Sequence, residues 1–517
     1  MRRRTTLTWS LLGVVSLMVG YAALDAYDLA PGILTVAPMP TATPPPVPTV
    51  APSDLRLPTL APSGMPVRPA GADARLPSAA GVAAALAPVL ADPAIAGGVG
   101  AVVADGVTGV RLLEVDAATP RIPASTAKLV SAAGILGSID PSTTLVTSVV
   151  DGPNPGRITL VVGGDTMLNP GEGQPDSIIG RAGLADLADA VAPALKGDGR
   201  TSVVLGVDRS YAPGPRSAPT WPGDYIATGI SGQVDVVGLA TKRSTPEAPV
   251  VTDPVADVLT ELATRLAERG VTATVDATLG PLPPVPAAVP ASPASAGSPA
   301  NPATAAIGSA ASTTPTTPTT PTGLPSAPSR VLGSVRSAPV RDLVALALLD
   351  SDNALTESLA RQAAFRAGRP TDFAGAAAYL LEVVRGQGLD LTGAVLVDAS
   401  GLSRDNRLAP RSLADLLTTA ASGKSPALAS VVERLPIAAL SGTLTQRFGD
   451  PAAAPAVGIV RAKTGTLTGV SALAGTVVTA DGRPLVFVVL APSPHGTPAA
   501  RAALDRFGAT LATCGCA

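Results

Sequence analysis

Hydrophobic and polar positions along this chain follow two rhythms, and some long stretches have neither. From 98 to 115 the runs GVGAVVA and GVRLLEV flank a D-G-V-T-G turn, the pattern of a β-hairpin. After Pro123 a helix is predicted from Ser125 to about Leu136. Leu129, Val130, Ala132, Ala133, Ile135 and Leu136 make most of its faces apolar, so it should be buried. Near the other end, GIVRAKTGTLTG, VSALAGTVVTADG and RPLVFVVLAP read as three strands, the last two joined across Ala-Asp-Gly, and a final helix spans about Thr497 to Ala512. Between about 145 and 335, the shorter strands RITLVVGG, TSVVLGV and VTATVDA alternate with helices at about 183–195 and 253–269. Strands at both ends with helices between predict an α/β fold: a sheet assembled from the two termini and packed by helices, with a mixed α/β domain inserted into it.

The remaining stretches set the domain plan. Arg2, Arg3 and Arg4 precede an apolar run from Leu7 to Leu24, so residues 1–30 read as a signal peptide or signal anchor and 7–24 as a candidate membrane tether. The bulk of the chain is then extracytoplasmic: secreted or in the cell wall, or anchored to the outer face of the cytoplasmic membrane. Residues 31–78 are a proline-rich linker that could reach roughly 150 Å if fully extended. A second low-complexity segment, 281–328, includes TTPTTPTTPTG and reads as a disordered excursion. The catalytic domain is expected at 79–145 and 337–517, and the inserted domain at 146–336.

Composition narrows the chemistry. A formal charge of -2 leaves no electrostatic case for nucleic acid, and 2% aromatic content argues against stacking platforms. The single histidine, His495, sits in APSPHGT, a surface-loop context, so a Ser-His-Asp triad would depend on that loop alone. A zinc site built mainly from histidines is excluded. Cys514 and Cys516 close the chain as CGC and bear on no mechanism.

Only five lysines occur, Lys128, Lys196, Lys242, Lys424 and Lys463, and Lys128 alone has a serine three residues before it. In S-T-A-K, residues three apart share a helical face, so the Lys128 amine comes near the Ser125 hydroxyl at the positive end of the helix. A lysine titrating near 10.4 must be depressed by about three units to act as a base at neutral pH, which burial and a second cation would both favour. Ser351-Asp352-Asn353 follows the apolar helix VRDLVALALLD; Ser351 and Asn353 converge only if the backbone turns there, and the plain alternative is a helix N-cap. Lys463-Thr464-Gly465-Thr466 lies in a predicted strand. Gly465 removes a side chain where a ligand could approach; the alternative is a strand end with an exposed lysine.

Ser-x-x-Lys, Ser-Asp-Asn and Lys-Thr-Gly in this order are the motif set of active-site-serine penicillin-recognising enzymes. The chain therefore resembles the serine D-Ala-D-Ala peptidases, and most closely the class C low-molecular-mass penicillin-binding proteins, the D-alanyl-D-alanine carboxypeptidase/endopeptidase family. The first two motifs lie 351 − 125 = 226 residues apart, room for an inserted domain. PASTAKL, DASGLSRDNRLAP, LPIAALSGTL and RAKTGTLTGVSALAG also look like this family. No E-x-x-L-N follows Ser-Asp-Asn, so the hydrolytic glutamate of class A β-lactamases is missing.

The resemblance implies the penicillin-binding fold and a set of roles. Ser125 would attack the penultimate D-Ala carbonyl of a peptidoglycan peptide, with Lys128 as general base. Ser351 would relay a proton to the leaving D-alanine, and Asn353 would orient Lys128 and the substrate amide. Lys463, Thr464 and Thr466 would hold the terminal carboxylate, and the N–H groups of Ser125 and Thr466 would form the oxyanion hole. Trp221, Asp224 and Arg404 match places where relatives recognise the stem side chain; for Asp224 the alternative is a turn residue after Pro-Gly. β-Lactam antibiotics are implied ligands, and no metal or organic cofactor is. The competing readings are a β-lactamase or esterase of the Ser-x-x-Lys type, and a catalytically inactive wall-binding homologue.

Overall fold

The computed structural model describes residues 71–276 and 329–516, apart from 72, 153, 213 and 424. The expected signal segment and tether, most of the proline-rich linker, and the 281–328 segment lie outside the described residues. Among the described residues no helix is long and apolar enough to cross a membrane.

The described chain forms two five-stranded sheets. The elements in order are α1 (Ala79–Leu90), β1 (Gly100–Asp105), β2 (Arg111–Val115), α2 (Ala127–Ser138), β3 (Thr144–Asp151), β4 (Arg157–Val161), α3 (Leu184–Gly197), β5 (Ser202–Asp208), α4 (Pro254–Glu268) and β6 (Thr272–Val275). They continue with β7 (Val331–Pro339), α5 (Val340–Leu349), α6 (Asn353–Arg366), α7 (Phe373–Gly386), α8 (Pro410–Ala421), α9 (Pro426–Glu433), β8 (Arg461–Leu467), β9 (Val470–Val478), β10 (Pro484–Pro492) and α10 (Thr497–Ala512).

The first sheet runs β2-β1-β10-β9-β8, so both chain ends meet where β1 pairs antiparallel with β10, Val103 opposite Phe487. The β9–β10 hairpin turns through Ala-Asp-Gly, with Gly482 at φ 84°. The β8–β9 turn needs only Thr468 and Gly469, and Gly469 takes φ 75°, a conformation that costs glycine little. Phe487 and Phe507, both fully buried with ring centroids 6.1 Å apart, fasten β10 to α10. Each stabilises the packing by about 1.5–3 kcal/mol relative to exposure. On the sheet's other side lies α2, buried from Ala127 through Leu136 as its apolar faces demand. Gly134 lets it approach α7: a Cβ there would sit 2.8 Å from the Leu380 side chain.

The second sheet runs β6-β5-β4-β3-β7, with β4, β5 and β6 parallel and crossed over by α3 and α4. Those elements follow the sequence pattern. The flanking strands β3 and β7 do not appear in it. They pair antiparallel, with Ser148 opposite Ser334, and the expected domain limits at 145/146 and 336/337 fall within them. Cys514 and Cys516 form a disulfide, whose loop is too short to restrain the unfolded chain much.

Candidate active site

Ser125 lies in a 3-10 turn, Ala124–Thr126, and the α-helix proper begins at Ala127, two residues later than the pattern predicts. The delay has a local cause. Ala124 adopts φ 47°, a left-handed conformation that costs a non-glycine residue roughly 1–2 kcal/mol. Thr126 then closes the turn, its N–H and hydroxyl both donating to the Pro123 carbonyl at 3.2 and 2.6 Å.

Two glycines press the turn into place. A Cβ on Gly401 would lie 2.1 Å from the Ala124 carbonyl oxygen, and one on Gly465 would lie 2.8 Å from the Pro123 carbonyl oxygen and 3.1 Å from the Ala124 side chain. The space read from the sequence as a gap for an approaching ligand at Gly465 is thus filled by the turn that carries Ser125. Gly465→Ala is expected to displace that turn, slowing acylation by about tenfold or more and lowering stability by about 1–3 kcal/mol. Penicillin acylation rates and thermal melts would check it; wild-type rates would contradict it.

Lys128 is 1% exposed. Its Nζ donates to Ser125 Oγ at 3.1 Å, to Asn353 Oδ1 at 2.5 Å and to the Ser400 carbonyl at 2.7 Å. Burial lowers its pKa from 10.5 to about 8, while Glu357, Asp398 and Asp352 push the other way. The depression comes from burial foremost, as the apolar helix implied.

Ser351 and Asn353 converge because the backbone turns sharply: Ser351 sits at φ 58°, and α6 starts at Asn353. Asp352 caps α6, its carboxylate accepting the Leu355 N–H at 2.9 Å, so the helix N-cap is present beside the sharp turn at Ser351. The Asn353 amide donates to the Ile230 carbonyl at 2.5 Å, fixing which end faces Lys128. One helical turn on, Glu357 is fully buried and accepts the N–H groups of Ala399 and Ser400. Burial, then Asp398, pushes Glu357 up to about 7. Glu357 thereby holds the peptide whose Ser400 carbonyl accepts a hydrogen bond from the Lys128 amine.

Arg243 joins the second sheet's segment to this centre. Its Nη2 donates to Asp350 at 2.9 Å and to Asp352 at 3.0 Å, and its Nε reaches Asp352 at 3.2 Å. Around Lys128 the charged groups are Glu357, Asp398, Asp352 and the Lys463 amine. Without Arg243 the Asp352 charge acts on Lys128 unneutralised, favouring the protonated amine. Arg243→Ala is expected to move the rising limb of the acylation pH profile upward by about half a unit, roughly a threefold loss at pH 7. An unmoved limb would contradict this coupling.

Ser125, Ser351, Thr464 and Thr466 line a cleft of about 350 Å³ together with Thr443, Gln446, Arg447 and Arg501. Thr464 donates its hydroxyl to Thr443 at 2.9 Å. Lys463 is not among the lining residues. It is 0% exposed, and its Nζ donates to the Thr464 carbonyl at 3.1 Å. Burial, then the neighbouring Lys128, holds its pKa well below 10.5. The lysine expected to hold a substrate carboxylate is therefore fully buried near Lys128, while Thr464 and Thr466 line the cleft.

Trp221 is buried too. Its Nε1 donates to Asp398 at 2.7 Å, and its ring packs edge-on against Phe373. Asp398 also accepts the N–H groups of Gly401 and Ser403 and the Asn406 amide, so Trp221 supports the 398–406 loop from beneath. Asp224 and Arg404 are exposed and both act electrostatically on Tyr225, but neither is among the residues lining the Ser125 cleft. Arg404 is steadied by the Thr468 carbonyl at 2.7 Å. His495 lies exposed in the loop before α10, as its proline-flanked context predicted.

Sequence reasoning missed Glu357, Asp398, Arg243 and Arg501. Glu357 carried a usable signal, since it lies four residues after Asn353 on one helical face. The others are brought in by tertiary contacts alone.

The model of the D-Ala-D-Ala carboxypeptidase 3 (S13) family matches residues 82–247 and 303–511. Carboxypeptidase DacB of Mycolicibacterium smegmatis is 33% identical over 524 aligned residues, covering 99% of this chain and 98% of the relative. A carboxypeptidase of Mycobacterium tuberculosis is 32% identical over 87% of each chain. Among solved structures, penicillin binding protein 4 of Haemophilus influenzae superposes with a TM-score of 0.60 at 18% identity, covering 83% of this chain and 98% of that one. The α/β penicillin-binding fold expected from the motifs is therefore the fold observed, and the chain belongs to the D-Ala-D-Ala carboxypeptidase 3 (S13) family.

Proposed function

We propose that this chain hydrolyses the D-Ala-D-Ala bond at the end of peptidoglycan stem peptides through an acyl-enzyme on Ser125. The observation that carries the reading is the placement of the Lys128 amine between Ser125 Oγ and Asn353 Oδ1, with burial bringing its pKa to about 8. At that value an appreciable fraction of the amine is neutral near pH 7, so it can take the Ser125 proton as Oγ attacks the penultimate carbonyl. The N–H groups of Ser125 and Thr466 receive the oxyanion. As the C–N bond breaks, Ser351 passes a proton from Lys128 to the leaving amine, and D-alanine departs. Water then attacks the ester, giving a proton to Lys128, which passes it to Ser125 Oγ as the acyl C–O bond breaks and the shortened peptide leaves.

The same site accepts a D,D-crosslink, because the scissile bond again joins a D-Ala carbonyl to an amine on a D-centre. D,D-endopeptidase activity is therefore part of the proposal. So is recognition of the stem's third residue by the exposed Asp224 and Arg404, an acid and a base suited to a zwitterionic end. Because the polymer lies outside the cytoplasm, so does the working chain. β-Lactams enter as mimics of the D-Ala-D-Ala end, leaving the ring-opened acyl group on Ser125.

Release of D-alanine from Nα,Nε-diacetyl-L-Lys-D-Ala-D-Ala tests the first activity, and cleavage of a purified D,D-crosslinked dimer tests the second. Rapid consumption of benzylpenicillin without D-alanine release would favour a β-lactamase instead. Wall binding without either turnover would favour an inactive binding protein.

A further inference from the structure

A substrate ending in D-alanine carries a full negative charge into the cleft, and Lys463 is not in position to meet it. Its side chain has no exposed surface, its amine is turned to the Thr464 carbonyl, and both burial and the nearby Lys128 disfavour its charge. The described residues lining the cleft include two other cations, Arg447 and Arg501, and no acid.

The two arginines are not equivalent. Arg447 is 10% exposed and is neutralised by Asp505, to which its Nη2 and Nε donate at 2.6 and 3.0 Å. Its Nη2 also donates to the Arg501 carbonyl at 3.2 Å, bracing the first turns of α10. Arg501 is exposed to the cleft, and its Nη2 lies 3.3 Å from Thr466 Oγ1. Asp505, the acid that acts on Arg501, is already engaged by Arg447. Burial and Arg447 disfavour the Arg501 charge somewhat, yet a guanidinium stays protonated at neutral pH. The cleft thus holds a guanidinium with donors to spare, touching one of the two hydroxyls that line the motif strand.

We propose that Arg501 is a specificity-determining residue: it takes the substrate's terminal carboxylate, together with the hydroxyls of Thr464 and Thr466. This rests on the carboxypeptidase reading above and assigns the charge recognition within it. A planar guanidinium can meet both carboxylate oxygens, and an ammonium at the same place cannot reproduce that fork. The enzyme then selects peptides with a free C-terminal acid over those whose end is capped.

The test compares D-alanine release from diacetyl-L-Lys-D-Ala-D-Ala with D-alaninamide release from its C-terminal amide, using the full chain, Arg501→Gln and Arg501→Lys. In wild type the acid should be strongly preferred. Arg501→Gln should lose about ten- to a hundredfold in kcat/KM on the acid, mainly through KM, and much less on the amide, so that the acid-to-amide preference collapses. Arg501→Lys should restore part of the preference. An unchanged preference in Arg501→Gln, or equal losses on both substrates, would overturn the assignment while leaving the carboxypeptidase reading intact. Wild type that releases neither product and forms no penicillin adduct would overturn both.

Discussion

Lys128→Met is expected to slow acylation of Ser125 by about a hundred- to ten-thousandfold while leaving the protein folded, the range a positioned general base contributes. The amine reaches Ser125 Oγ, Asn353 Oδ1 and the Ser400 carbonyl at once, so no other described group in the cleft holds the same position. Lys463, the nearby amine, is committed to the Thr464 carbonyl. In wild type the acylation rate should rise with pH, reach half its maximum near pH 8 and level off about a unit higher, since the working form is the neutral amine whose pKa is about 8. The methionine variant should lose that limb. Lys128→Arg should be as slow, because arginine keeps its proton throughout the accessible range.

Stability should move the other way. The folded pKa lies below the unfolded value, so the folded state binds fewer protons, and burying the lysine destabilises the wild type fully below pH 8 and not at all above 10.5. A fall from 10.5 to about 8 corresponds to about 3 kcal/mol. Methionine removes that cost, and the loss of bonds to Asn353 and Ser400 offsets part of the gain. Denaturant unfolding at about pH 6.5, below the folded pKa, should therefore find Lys128→Met at least as stable as wild type, with the difference shrinking toward about pH 10. A variant much less stable in the acidic measurement would show that the amine serves the fold, and its slow acylation would then say little about catalysis.

What could be read from the sequence was what local pattern determines. The β9–β10 hairpin, α10, α3, α4 and the burial of α2 follow from periodicity and turn residues lying next to each other in the chain. The three motifs also sufficed to name Ser125, Lys128, Ser351 and Asn353, which the fold brings into contact or into one cleft. The strands β3 and β7 escaped notice because each is stabilised by the other across a long intervening stretch of chain. Lys463 shows a different limit: its place in a strand was legible, but its full burial near Lys128 is set by tertiary packing. Trp221 carries an indole N–H that either a substrate or a buried acid could accept, and only the tertiary structure brings Asp398 to it. Arg501 belongs to a helix of ordinary amphipathic pattern, and its position beside Thr466 comes wholly from how α10 packs on the sheet.

Everything in the mechanism depends on Ser125 being a nucleophile activated by Lys128. Ser125→Ala removes the one atom that can carry the acyl group, so it should abolish covalent labelling and D-alanine release altogether, a larger loss than any base variant. The substitution should leave the turn intact, because the bonds that close it come from Thr126 and Pro123. The decisive measurement is intact-mass spectrometry of residues 79 to 517 after incubation with benzylpenicillin, followed by peptide mapping, with Ser125→Ala alongside. Wild type should gain a long-lived increase of one penicillin mass, mapped to the peptide that carries Ser125, and the variant should gain none. An adduct that persists in Ser125→Ala, or a wild-type chain that neither forms an adduct nor alters the antibiotic, would contradict nucleophilic catalysis by Ser125.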